Sequence, residues 1–94
     1  MIMNHSRKAE ELSTADLFLS ALLLTRQHPI QDIRLEEERI TKKILFVFSK
    51  TNKTEILKEQ YKHGIAEANV LELKHNYLHL LDLLHEAKRK YHLN

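Results

Sequence analysis

The chain has no cysteine and no tryptophan, and it holds a single glycine and a single proline. Without a thiol, disulfides, thiolate nucleophiles and cysteine-containing zinc sites are all excluded, and a reducing, cytoplasmic setting is the expectation. With Gly64 as the only glycine there is no glycine-rich loop to cradle a phosphate, so loop-type nucleotide hydrolysis is not expected. Charge of one sign is missing too. Fifteen Lys and Arg stand against 13 Asp and Glu, a net charge of +2 divided evenly between the two halves, whereas a dedicated nucleic-acid binder is more basic. Unbroken apolar runs such as Ala21 to Leu24 and Ile44 to Phe48 are far too short to span a bilayer. Met1 to Lys8 lacks the apolar core of a signal peptide, so no membrane association is expected.

What remains is a chain of 94 residues, 43% hydrophobic and 30% charged, which is enough for one core and too little for two. The expected organisation is a flexible tail over residues 1–12 and a single domain over 13–94. Ser13 offers an N-cap for a helix from Thr14 to about Arg26, with Asp16 in its first turn favoured by the helix dipole. Leu17, Phe18, Leu19, Ala21, Leu22, Leu23 and Leu24 surround this helix on nearly every side, so it must lie centrally. His28-Pro29 ends it.

From Ile30 the pattern alternates, Ile33 and Leu35 against Gln31, Asp32, Arg34 and Glu36, which predicts a half-buried strand. Glu36 to Thr41 is the expected turn, and Lys43 to Ser49 a second, antiparallel strand buried on both faces. Asn52-Lys53-Thr54-Glu55 fits a capping box opening a helix that ends near His63, with Gly64 as its left-handed C-terminal cap. Asn69 opens the last and longest helix, running to about Tyr91. Its inner seam is Val70, Leu73, Tyr77, Leu80, Leu84, Ala87 and Tyr91, and beside it runs a second row of Leu71, Leu78, Leu81 and His85. The fold class is thus α+β, in the order α-β-β-α-α, with a β-hairpin packed against helices.

Several stretches carry a resemblance: Thr14-Ala15-Asp16-Leu17-Phe18-Leu19 with Ala21, His28-Pro29-Ile30, Ile44-Leu45-Phe46-Val47-Phe48, Tyr61-Lys62-His63-Gly64, and Ala66-Glu67-Ala68-Asn69-Val70-Leu71-Glu72. Together they resemble a small family of phage and mobile-element proteins, catalogued as domain of unknown function fifty-six fifty-nine, over roughly Ser13 to Leu84. The resemblance implies a fold and an accessory role encoded by mobile DNA, with no activity to carry over. Where such sequences place basic side chains late in the last helix, this chain has Leu78 and Leu81, which favours an oligomeric use of that face over a nucleic-acid one.

Candidate chemistry is sparse. His75, His79, Asp82 and Glu86 share one helical face and are the best metal candidates, although a solvated face opposite the leucine rows explains them as well. No metal or other cofactor is therefore expected. Arg39, Lys42 and Lys43 near the turn, and Lys88, Arg89 and Lys90 near the C-terminus, are the groups able to meet nucleic-acid phosphates. Glu36, Glu37 and Glu38 beside the first group oppose that use. His28 has no nucleophile or paired carboxylate at a recognisable spacing and is expected to close the helix end. The expectation is a non-enzymatic interaction module with no catalytic residues. It would be a homodimer or bind a protein partner through Leu71, Leu78, Leu81 and His85, with nucleic-acid binding as the alternative.

Overall fold

A computed structural model describes residues 10–93. The elements are β1 (Glu11–Thr14), α1 (Leu17–Thr25), β2 (Asp32–Glu38), β3 (Thr41–Ser49), α2 (Asn52–Lys62) and α3 (Val70–Lys90). The α-β-β-α-α order is present, preceded by one short strand. The sheet is antiparallel throughout and ordered β1-β3-β2.

β1 corrects two expectations. Residues 1–9 of the anticipated tail lie outside the described residues, but Glu11 and Leu12 are strand, and Leu12 is buried opposite Phe48. The first helix does not start at Thr14 behind a Ser13 cap, because Ser13 and Thr14 pair with Val47 and Phe46 of β3. Asp16 is the N-cap instead: its Oδ1 accepts from the amides of Phe18 at 2.9 Å and Leu19 at 3.1 Å. The cap of α2 likewise moves back one residue. Thr51 and Thr54 exchange side-chain and backbone hydrogen bonds at 3.1 and 2.8 Å, in place of the Asn52 and Glu55 pair. The hairpin turn shrinks to Arg39 and Ile40. Glu36 and Glu37 sit opposite Lys43 and Lys42, so cross-strand charge pairing extends the ladder outward.

Strand alternation sorts the sheet into two faces. Leu12, Ile33, Leu35, Ile44, Phe46 and Phe48 share the inner one, and Phe46 and Phe48 join Leu19, Leu22, Leu23, Leu57 and Leu80 in the core. α1 is central as its composition requires, with Ser20, Ala21 and Leu23 fully buried. It packs chiefly against α3, and α2 contributes Leu57 to the core.

The outer face holds Val47, which is also fully buried. Its cover is ionic. From β2, Arg34 reaches over β3 to grip both Glu11 carboxylate oxygens on β1, at 2.8 and 2.9 Å, while its Nε donates to Asp32 at 2.8 Å. The guanidinium, with the Ile33 amide, holds the Asp32 carboxyl below its ordinary value. No helix among the described residues is long and apolar enough to cross a membrane.

Candidate interaction surface

Three contacts outside the apolar core fix α1 against its neighbours. At its N-terminus, Asp16 Oδ2 accepts from the Tyr61 hydroxyl at 2.8 Å, and burial together with this contact pushes the Tyr61 phenol up to about 12. In the next turn Phe18 stacks on Tyr77 of α3, ring centroids 4.6 Å apart. At the C-terminal end Asn76 Nδ2 donates to Thr25 Oγ1 at 2.9 Å, and that hydroxyl donates to the Ala21 carbonyl at 2.8 Å.

The second and third of these contacts tie α3 to α1 and set its rotation. At about 100° per residue, Leu73, Tyr77, Leu80, Leu84 and Ala87 face inward, and Leu80 is fully buried. Val70, expected in this seam, is 77% exposed, because the helix begins there with only its own cap, Asn69, before it. The second row stays largely outside. Leu71 is 61% and Leu78 48% exposed, Leu81 is half-buried and His85 exposed. Phe18, 53% exposed, extends the apolar surface from α3 onto α1 through its stack with Tyr77. The result is a strip about 20 Å long, from Leu71 to His85 at 1.5 Å per residue. The sequence located its α3 part. Phe18 is not singled out by the sequence, because nothing in a helix apolar on all sides says which side chain is left uncovered.

The other candidates fare differently. His75, His79, Asp82 and Glu86 lie on the far side of α3, all exposed. Among the described residues no group of three or more His, Cys, Asp or Glu side chains could hold a metal ion. Lys42 and Lys43 are answered by Glu37 and Glu36 at 3.5 and 3.8 Å, which leaves Arg39, in the left-handed region at φ 36°, as the hairpin cation without a carboxylate partner among the described residues. Lys88, Arg89 and Lys90 occupy the last turn of α3, where cations are favourable, and Lys90 lies 5.6 Å from the Tyr91 ring. The two basic groups thus stand on different elements, and the first is largely neutralised.

His28 is half-buried, and the end of α1 is closed by the backbone amides of Arg26, Gln27 and His28 rather than by the imidazole. The imidazole lines a cleft with Arg26, Gln27, Lys53, Ile56, Leu57 and Gln60. Burial, then the charges of Arg26 and Lys53, hold its pKa below the ordinary value. Sequence spacing carries no trace of this cleft, since Arg26 and Lys53 meet only through the packing of α2 against α1. Comparison with family models, curated proteins and solved structures finds no match to this chain.

Proposed function

We propose that the protein is a non-enzymatic interaction module that self-associates through the exposed face of α3. The observation that carries this reading is the apolar strip of Val70, Leu71, Leu78 and Leu81, continued by Phe18, on a domain whose core is complete without it. A helix needs one apolar face to join its own fold, and a second asks for a second occupant. Another copy of the chain fits because a two-fold contact covers the same strip twice. Lys74 and Lys88 lie among and beside the strip residues, and their long stems let a two-fold contact keep both ammonium groups at its solvated rim.

The strength follows from the exposure. Burying the open half of four such side chains on each of two protomers gains roughly 6 to 12 kcal/mol. Setting an association cost of about 4 kcal/mol against it leaves at most about 8 kcal/mol, and the reading requires the upper half of that range, a weak dimer with a dissociation constant between about 1 µM and 1 mM. The accessory role in a phage or mobile element rests on the sequence resemblance alone. Nucleic-acid binding is the weaker reading, because Glu36 and Glu37 answer the hairpin lysines.

Dilution of isotope-labelled protein tests the reading: amide signals of residues 70–85 and of Phe18 should move with concentration. Leu78→Glu should abolish the movement without unfolding the chain. Concentration-independent signals up to about 1 mM would refute self-association.

A further inference from the structure

We infer that the cleft between the C-terminal end of α1 and the first turns of α2 binds the phosphate group of a small molecule, with Arg26, His28 and Lys53 as the anion-binding side chains. The cleft encloses about 500 Å³, within the range of small-molecule sites. Among the described residues its lining is three nitrogen bases or cations, the two amides Gln27 and Gln60, and the apolar side chains Ile56 and Leu57, with no carboxylate.

The strand cations of the sheet are placed differently. On the sheet, cations meet carboxylates: Arg34 has Glu11 and Asp32, Lys42 has Glu37 and Lys43 has Glu36. In the cleft, the partner of Arg26 is the neutral carbonyl of Glu67 at 3.0 Å, which engages Nη1 and leaves its other nitrogens available. Lys53 lies in the first turn of α2, where the helix dipole disfavours a cation. Arg26, the residue that caps α1, and Lys53 of α2 line the cleft together with His28 and oppose protonation of its imidazole, so the three groups share one field. A positive field that meets no counter-ion among the described residues lining it is completed by an external anion, and a phosphate offers enough oxygens to accept from all three. Ile56, more than half exposed at the rim, gives an apolar surface for the body of a phosphate ester.

The probes are inorganic phosphate and AMP, titrated into isotope-labelled full-length protein while the His28 ring and the backbone amides are followed. Saturable shifts at residues 26–28 and 53–57 are expected. The His28 pKa should rise toward or above its ordinary 6.5, because a bound anion reverses the repulsion from Arg26 and Lys53. Lys53→Gln and Arg26→Gln should each weaken binding by about tenfold. Lys53→Gln alters an exposed side chain and keeps the fold as a control. Tighter binding of AMP would assign an ester and equal binding the free ion, both supporting the phosphate site. Three outcomes would overturn it: no saturable shift at millimolar ligand, binding unchanged in both variants, or a His28 pKa unmoved by saturation. A DNA oligonucleotide that outcompetes AMP through the same residues would replace the small molecule with nucleic acid and overturn the proposal as well.

Discussion

Asp16→Ala removes the residue at which α1 begins and at which α2 is tied to it. Oδ1 satisfies two amides that the helix cannot pair internally, and Oδ2 takes the Tyr61 hydroxyl. Loss of an N-cap costs about 1 kcal/mol, and the exposed hydroxyl-to-carboxylate bond contributes about 1 kcal/mol more. A total near 2 kcal/mol should lower the melting temperature of a domain this size by roughly 10 °C. Urea unfolding of Asp16→Ala, Tyr61→Phe and the double variant separates the two parts, with a coupling of about 1 kcal/mol expected between them. The Tyr61 phenol supplies an independent readout. In the folded protein it is pushed up to about 12, so stability from this group is fully present below the unfolded value near 10 and is lost as pH rises through 12. In Asp16→Ala the pKa should fall but stay above 10, because burial is the larger cause. A variant that loses less than about 0.5 kcal/mol, or shows no coupling to Tyr61, would refute this account of how α1 is anchored.

Ser20 is fully buried, and its hydroxyl has no hydrogen-bond partner among the described residues, so Ser20→Ala should raise stability by about 1 kcal/mol in urea unfolding. Gly64 adopts φ +74°, and a Cβ added there meets nothing within 4 Å. Gly64→Ala should therefore cost about 1 kcal/mol, from backbone conformation alone, and Gly64→Asn less. The folded pKa of His28 lies below its unfolded value, so its charged form disfavours the fold. Stability should be complete above pH 6.5 and decline as pH falls through the folded pKa, and His28→Gln should flatten that part of the pH profile.

How far the sequence revealed the fold depends on where the deciding contact lies. α2, α3 and β3 were legible because their signals are local: an apolar stripe at helical spacing for α2 and α3, the Asn69 cap of α3, and a β-branched run ending in polar residues, while the cap of α2 was read one residue late. Gly64 was legible for the same reason, as a lone glycine one residue past a helix end. β1 was not, because Glu11-Leu12-Ser13-Thr14 holds a single apolar residue and becomes a strand only by filling the open edge of β3. Once Ser13 and Thr14 are committed to that edge, the helix has to wait for Asp16. The Arg34, Glu11 and Asp32 network over Val47 depends on the same pairing. For the candidate surfaces, the α3 strip could be read from helical spacing, whereas its extension to Phe18 and the cationic cleft required α1 to meet α3 and α2.

Self-association through α3 is tested most directly by sedimentation velocity over a loading range from about 10 µM to about 1 mM, with wild type beside Leu78→Glu. The weight-average sedimentation coefficient of the wild type should rise with concentration toward that of a dimer, while Leu78→Glu stays at the monomer value throughout. A wild type that remains monomeric at every loading, or a Leu78→Glu variant that associates equally well, would contradict the claim.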